Sequence, residues 1–306
     1  MAVPSFGAAT TMPSEANDEP AAAGGGKNVV HNKQGIDMLH GRIWTKVLRF
    51  ALPVAATGIL EQLFNASGIM IVGNFSQSDG TAAVAAVGSN APVTGLILNL
   101  FIGIALGANV VIANAIGRGD RETVHRAVHT SIVTALVGGV LVALFGQLIA
   151  GGLMGLLNVP EDVYPLALSY LRIYLIGMPV ILLYNFETAI FRSIGDTQAP
   201  LAVLAISGVL NVTMGLIFVV LFHWGVSGVA TATVIANVVS SMILLYRLVH
   251  TDAAIHVDLR EFGIDWFTLR QILRIGLPAG VQSAVFAVAN IIIQAAINSL
   301  GTVVMA

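Results

Sequence analysis

Two acidic residues, Glu61 and Glu187, lie inside long apolar stretches of this 306-residue sequence, where carboxyl groups are otherwise missing. An ionisable group within a membrane-crossing segment costs about 2.5–3.5 kcal/mol to insert and commonly marks an ion or substrate pathway. Asn65 and Gly68 follow Glu61 at positions i+4 and i+7, so the three share one helical face. A carboxyl group beside an amide on such a face can bind and release a proton or a cation.

The alternative for Glu61 is a purely structural acid that keeps its proton and hydrogen-bonds a neighbouring helix. Glu187 lies five residues before Arg192, near a predicted helix end. That position favours an acid that snorkels to the surface or forms a salt bridge.

Other polar residues recur at helical spacing and predict a wet cavity. Tyr170 and Tyr174 offer aromatic surface to an amphiphilic cation. The remaining cavity candidates, one helical face each, are Thr233 with Asn237 and Asn290 with Gln294. The alternative is ordinary interhelical hydrogen bonding, worth about 0.6 kcal/mol per bond in membrane bundles.

Arg172, Pro53 and three glycines are candidates for structural or gating roles. Arg172 lies well inside an apolar stretch, where pairing with a carbonyl or an acid is expected; the alternative is a gate that excludes cations from the outer half. Gly95, Gly103 and Gly107 are spaced by multiples of four, which predicts close helix packing rather than a binding site.

The elements that must position these residues follow from composition. The chain is 56% hydrophobic and only 10% charged, whereas soluble domains carry about 25% charged residues. Buried strands of a soluble core would be about 4–8 residues long, but the apolar runs here reach the length of about 20 residues that crosses a bilayer as a helix. The sequence therefore predicts an all-α polytopic membrane protein. The predicted helices cover 47–72, 84–114, 130–157, 163–190, 199–222, 226–249 and 270–300.

Charge and residue usage exclude several functions. A net charge of −2 gives no bulk attraction to nucleic acid, and the absence of cysteine excludes disulfides, thiol catalysis and cysteine-bound metal. No phosphate-binding loop is present, so we expect neither an ATPase nor another enzyme, and no cofactor. Residues 1–40 form a polar tail without an apolar core, which predicts a disordered segment and not a signal peptide.

The basic residues predict an orientation. If the connections between helices alternate between two sides, all of the 14 Lys and Arg residues except Arg172 fall on one side. Positive residues stay in the cytoplasm. We therefore expect a multi-pass protein of the cell membrane with a cytoplasmic N-terminus.

A weak internal repeat links the first and seventh predicted helices. Leu48, Arg49, Leu52, Pro53 and Asn65 each recur 225 positions later. Because six helices separate the two copies, the repeats run parallel, as in transporters built of two bundles about an axis along the membrane normal. Any amphipathic entry into a membrane helix could share this pattern, which is the alternative.

Several blocks resemble the MATE (multidrug and toxic compound extrusion) transporters in order and spacing. They are "ALPVAATGILEQLFNASGIMIVGNF", "GANVVIANAIGRGDRETVHRAVHTSI", "YLRIYLIGMP", "AIFRSIGDTQAPLAVLAISGVLNV" and "GVSGVATATVIANVVS". The resemblance implies a twelve-helix exporter of two six-helix lobes, which exchanges protons or sodium ions for cationic, amphiphilic compounds by alternating access. It further implies a six-helix lobe over 41–249, a cytoplasmic linker over 250–269 and, over 270–306, the first helix of a second lobe that is cut short. A second copy of the chain could replace the missing lobe.

The resemblance also identifies a departure at the coupling site. MATE proteins commonly carry an acid where this chain has Gly68, and another four residues after Asn211, where it has Gly215. The expected polar partners Asn211 and Thr233 are present. We expect Glu61 to replace the lost acid on the same face of the helix, about 10 Å nearer the cytoplasm.

Two rival functions remain open at this point. The loss of both acids and of a lobe favours a degenerate membrane protein that transports nothing. A flippase for lipid-linked precursors, from a related superfamily, would need a strongly cationic cavity, for which Arg172 alone is thin support.

Local turn signals predict where two helices begin. Gly117 and Gly119 before Asp120 predict a helix stop followed by an N-cap, and Gly195 before Asp196 or Thr197 predicts the same, with Pro200 in the next first turn.

Overall fold

The structure is a computed structural model that describes residues 43–76, 80–258, 261 and 263–298, without the side chains of residues 43–46, 294 and 298. The tail over 1–40, for which disorder is expected, lies outside the described residues. So do residues 299–306 at the end of the chain.

Within these residues the fold is all-α, and its seven long helices confirm the predicted fold class. Each helix is long and apolar enough to cross a membrane. Their bounds are α1 Ile43–Phe75, α2 Gly80–Gly117, α3 Arg121–Leu156, α4 Tyr164–Ser193, α5 Gln198–Leu216, α6 Gly225–Val249 and α7 Trp266–Asn298. A π-helical turn, Ile217–Leu221, extends α5.

Short connections make successive helices run in opposite directions, so the bundle has two ends. We call the end that holds the connections 118–120, 194–197 and 250–265 the basic end, because Arg118, Arg121, Arg126, Arg192 and Arg247 lie there. The connections after α1, α3 and α5 lie at the opposite end.

The predicted caps at the basic end are confirmed. Gly119 adopts a positive φ of 73°, and the Asp120 carboxylate accepts a hydrogen bond from the Thr123 backbone N–H at 3.0 Å. The helix before α5 ends in the same way at Gly195, with φ of 81°. The Asp120 cap starts α3 nine residues before the predicted helix at 130, because a polar first turn carries no apolar signal.

Helix α4 lies at the centre of the bundle, where it packs against α2, α3 and α6. Two asparagines of α2 fasten it by donating across the interface: Asn90 to the carbonyl of Ala167 at 2.9 Å, and Asn109 to that of Ala189 at 3.0 Å. The third contact, with α3, is backbone to backbone at Gly139 and Pro179. These contacts bury most of the second half of α4.

Helix α7 packs against α2 through four glycines, Gly103 and Gly107 on α2 and Gly276 and Gly280 on α7. A Cβ placed on Gly103 would lie 2.2 Å from the Cα of Gly280. The two backbones therefore touch, which confirms close packing at Gly103 and Gly107. Gly95, the third glycine predicted to pack closely, has nothing within 4 Å of its Cβ position.

The connection before α7 is held on the basic end of α3. The buried His129 ring accepts a hydrogen bond from the Asp258 N–H at 3.1 Å, and the Thr130 hydroxyl accepts one from the Asp265 N–H at 3.1 Å. Asp265 in turn caps α7 by accepting from the hydroxyl and the N–H of Thr268. These two bonds, with burial opposing them and Arg126 nearby assisting, hold the pKa of Asp265 below its usual range.

Candidate functional site

Helix α1 presents Glu61 and Asn65 on its exposed surface. It is held on the bundle by its other residues: the Phe64 ring lies over Gly208 of α5, and Gly68 faces Val229 of α6. At the basic end of the helix, Pro53 has no N–H to donate to the carbonyl of Arg49, and the Thr57 hydroxyl donates to the Pro53 carbonyl at 2.8 Å. The Glu61 side chain is thus exposed on a helix that packs through other residues.

Glu61 lies within electrostatic range of several polar groups of α4, although the backbones of α1 and α4 are not in contact among the described residues. It interacts electrostatically with Arg192, Tyr174 and Tyr184, all on α4. Tyr170 stacks on Tyr174 with ring centroids 6.1 Å apart and ring planes 14° from parallel. We call Glu61, Tyr170, Tyr174, Tyr184 and Arg192 the α1–α4 polar cluster.

The cluster combines an acid, a base and aromatic rings at the edge of an apolar bundle. Glu61 is exposed, the rings of Tyr170 and Tyr174 are half-buried, and Tyr184 is buried. An accessible carboxylate beside an aromatic surface suits a cation, since both attract positive charge. The Arg192 guanidinium adds a positive charge to the same cluster and opposes a second cation near Glu61.

The polar candidates on α5 and α6 do not belong to this cluster. The Thr233 hydroxyl donates to the Val229 carbonyl at 3.0 Å, and the Asn237 amide donates to the Thr233 carbonyl at 2.9 Å. Both bonds stay within α6. Asn211 is half-buried on α5.

The positions where an acid is missing are lined by apolar side chains. A Cβ on Gly68 would approach Val229 to 3.2 Å, and a Cβ on Gly215 would lie 3.5 Å from Ile71 and 4.0 Å from Ala232. Neither position has a polar group among these nearest atoms. The structure thus places the accessible acid of α1 at Glu61.

Three other candidates lie on outer surfaces. The side chain of Arg172 is exposed, and among the described residues it forms no ion pair, although its carbonyl accepts from Gln147 at 2.7 Å. Asn290 is exposed on α7. The side chain of Gln294 lies outside the described residues.

The expectation that Glu187 is a snorkelling or salt-bridged acid is wrong. Its side chain is 0% exposed, and neither carboxyl oxygen has a hydrogen-bond partner among the described residues. The reason is that α4 continues to Ser193 and packs its second half against α2 and α6. Glu187 therefore lies inside the bundle and not at its surface.

Sequence reasoning missed Tyr184 and took Arg192 only as a loop charge. A usable signal was present, because positions 184, 188 and 192 follow each other at i+4 and share one face of α4. The proximity of that face to Glu61 depends on how α1 docks, which no local pattern encodes.

Comparison with known proteins places this chain in a family. The chain is 27% identical over 267 residues to the probable multidrug resistance protein YoeA of Bacillus subtilis, a match that covers 85% of this chain and 57% of that protein. The chain thus spans little more than half the length of this relative.

Two solved structures of a multidrug resistance MATE family transporter of the MOP superfamily are similar to the chain. The inward-facing conformation matches with a TM-score of 0.74 at 25% identity, over 84% of this chain and 58% of that one. The outward-facing conformation matches with a TM-score of 0.77 at 27% identity, over 84% and 56%. The family model MatE matches residues 53–217, more than half of the sequence. The chain therefore belongs to the MatE family.

Proposed function

We propose that this chain is part of a secondary active exporter, an antiporter that moves cationic or amphiphilic compounds out of the cell in exchange for protons or sodium ions. The observation that carries the proposal is the α1–α4 polar cluster, in which an exposed carboxyl, Glu61, lies within electrostatic range of aromatic and basic groups of α4. Membership of the MatE family supports the class of activity. No catalytic step and no cofactor other than the coupling ion are part of the proposal.

The basic end faces the cytoplasm in this proposal, since it gathers the arginines that positive-inside bias keeps there. Protons or sodium ions then enter from the opposite end. Exchange of one proton for one monovalent cation moves no net charge, so the membrane potential, worth about 2.3 kcal/mol per charge at 100 mV, contributes nothing. A tenfold proton gradient supplies about 1.4 kcal/mol for that exchange.

In this proposal the helices are divided between two lobes. Residues 41–249 form one six-helix lobe, 250–269 a linker at the cytoplasmic face, and 270–306 the first helix of a second lobe. Alternating access would tilt one lobe against the other. The similarity of this chain to both an inward-facing and an outward-facing structure supports a lobe that moves as a rigid body.

Efflux from cells that express the gene tests the proposal. Ethidium and norfloxacin serve as probes, with proton and sodium gradients collapsed separately. We expect gradient-dependent efflux that falls at least about tenfold in Glu61→Gln, because the amide cannot exchange a proton. Glu122→Gln is the matched control, since that acid is exposed on α3 and pairs with Arg126 at 3.0 Å.

The outcomes separate the alternatives. Efflux that persists unchanged in Glu61→Gln would remove Glu61 from coupling. Absence of efflux with every probe and both gradients, in membranes that contain the folded protein, would refute the exporter itself.

A further inference from the structure

A cleft at the basic end of the bundle is lined by opposite charges that do not pair with each other. The cleft has a volume of about 540 Å³ and lies between the end of α4, the start of α5 and the end of α6. Asp196 and Arg247 both line it, yet no ion pair joins them among the described residues. Sites for small ligands have volumes of about 300–1,000 Å³, so the cleft is large enough to hold one.

The cleft contains two hydrogen-bond acceptors that the described residues leave open. Asp196 Oδ1 caps α5 by accepting from the backbone N–H groups of Gln198 at 3.1 Å and Ala199 at 3.0 Å, and Asp196 Oδ2 has no such partner. His250 Nδ1 lies 2.9 Å from the Tyr246 carbonyl. Because a carbonyl oxygen can only accept, Nδ1 carries the hydrogen and Nε2 of the neutral ring is an acceptor. A carboxylate oxygen and an imidazole nitrogen together suit an ammonium group with N–H donors.

Arg247 supplies the opposite chemistry in the same cleft. Its side chain is exposed and forms no ion pair among the described residues. The guanidinium has five N–H donors in a planar fork that matches the oxygens of a phosphate. Basic pockets between membrane helices bind anionic lipid headgroups, but an anionic headgroup would here also meet the Asp196 carboxylate. The cleft therefore suits a ligand that carries both a phosphate and an ammonium group.

The helix surfaces beside the cleft are apolar and exposed. On α5, Ala202 lines the cleft, and Ile206 and Val209 follow it at i+4 and i+7 along the same exposed face. On α6, Met242 is exposed one turn before Tyr246. Both helices are long and apolar enough to cross a membrane, and they pack against each other. A ligand with a polar headgroup and acyl chains thus finds a polar cleft and apolar side chains in the helical turns next to it.

We propose that this cleft binds the headgroup of a phosphatidylethanolamine molecule from the membrane leaflet at the basic end. The Arg247 guanidinium donates to the lipid phosphate, and the lipid ammonium donates to Asp196 Oδ2 and His250 Nε2. The acyl chains lie on the exposed apolar side chains of α5 and α6. The inference does not depend on the proposed function, because lipid binding is measured without transport.

Native mass spectrometry of the purified protein, titrated with one lipid at a time, tests the proposal. The lipids have the same acyl chains and differ in their headgroups: phosphatidylethanolamine, phosphatidylcholine, whose methylated ammonium has no N–H to donate, and phosphatidylglycerol, which has no ammonium. We expect the first molecule of phosphatidylethanolamine to bind about tenfold or more tightly than either of the others, the effect of one charge-assisted hydrogen bond. Equal binding of the three lipids would overturn the proposal.

Two substitutions test whether the preference comes from this cleft. Arg247→Gln and Asp196→Asn should each remove it, and the asparagine keeps an oxygen that can cap α5. Arg121→Gln and Asp252→Asn are the matched controls, because both residues are exposed at the basic end and neither lines the cleft. Both controls should keep the preference of the wild type. A preference that survives in Arg247→Gln and Asp196→Asn, or that the controls lose as well, would overturn the site.

A water-soluble headgroup distinguishes the lipid from a soluble ligand of the same chemistry. Glycerophosphoethanolamine has the phosphate and the ammonium but no acyl chains. We expect it to displace the bound lipid only at concentrations at least about tenfold above that of the lipid, since it gains nothing from the apolar surfaces of α5 and α6. Displacement at an equal concentration would identify a soluble phosphoethanolamine compound as the ligand and overturn the assignment of the lipid.

Discussion

A single methyl group added at Gly103 tests how α7 is joined to the bundle. The Cβ of Gly103→Ala would lie 2.2 Å from both the Cα and the N of Gly280, and 2.9 Å from the carbonyl oxygen of Gly276. Real Cβ atoms essentially never come closer than 3.0 Å to such atoms. The backbones of α2 and α7 must therefore separate by roughly 0.8 Å at this point, the difference between those two distances.

The energetic cost depends on how far the atoms that the new methyl group meets can move. The nearest atoms are backbone on the facing helix, which cannot rotate away as a side chain can. Overpacking of this kind costs about 1–3 kcal/mol. Lipid solvates the apolar surfaces of separated helices, so no hydrophobic effect holds the two helices together. Their association depends on close packing. Loss of the contact therefore appears fully in the stability of the α2–α7 pair.

Gly95→Ala is the matched control on the same helix. Its new Cβ has nothing within 4 Å, so the variant gains only the helix propensity of alanine, about 0.5–1 kcal/mol. Gly103→Ala gains the same propensity, and the difference between the two variants isolates the steric cost. Unfolding in SDS–lipid mixed micelles, followed by circular dichroism, measures both. If Gly103→Ala unfolds at the same or a higher SDS fraction than Gly95→Ala, the backbone contact with α7 does not exist.

Two further predictions concern other contacts. Gly208→Ala would place a Cβ 1.8 Å from the Phe64 ring, so we expect the free energy of unfolding to fall by about 1–3 kcal/mol in the same assay. Adding Phe64→Leu should recover most of this loss. A loss that Phe64→Leu does not reduce would contradict the contact between Phe64 and Gly208. Asp265, whose pKa is held low by the Thr268 hydroxyl and N–H, stabilises the protein above the unfolded-state pKa of about 3.9 and loses that contribution as pH falls through the lower folded-state pKa. Asp265→Asn should therefore be less stable than the wild type near neutral pH, with the difference shrinking in acid, and a difference that is independent of pH would refute the cap.

Much of the fold could be predicted because bilayer crossing imposes a simple rule on sequence. Runs of apolar residues gave all seven helices, and glycine followed by Asp120 or Asp196 gave the starts of α3 and α5. The π-helical turn after α5 was not predicted, since its residues Ile217–Leu221 continue the apolar run without a break. The periodicity of apolar residues shows that a helix is present, but it does not distinguish an α-helical from a π-helical turn.

Only those features of the site that lie on a single helix could be predicted from the sequence. The shared face of Glu61 and Asn65 follows from spacing alone, as does the stack of Tyr170 on Tyr174. The position of α1 on the bundle depends on contacts such as that of Phe64 with Gly208 of α5, between residues far apart in sequence. Burial of Glu187 was missed for the same reason, because its environment is supplied by α2 and α6.

The surroundings of Gly68 and Gly215 disfavour the acids that the resemblance to MATE transporters implies at these two positions. An acid at Gly215 would lie between Ile71 and Ala232, and one at Gly68 would press on Val229, so neither would find a polar partner among its nearest atoms. The two acids inside the apolar stretches have different surroundings, since Glu61 is exposed on α1 and Glu187 is buried on α4. Carboxyls with such different surroundings differ in the cost of ionisation. The buried acid lies on α4, the helix around which α2, α3 and α6 are packed, so a charge on it would be placed at the centre of the bundle.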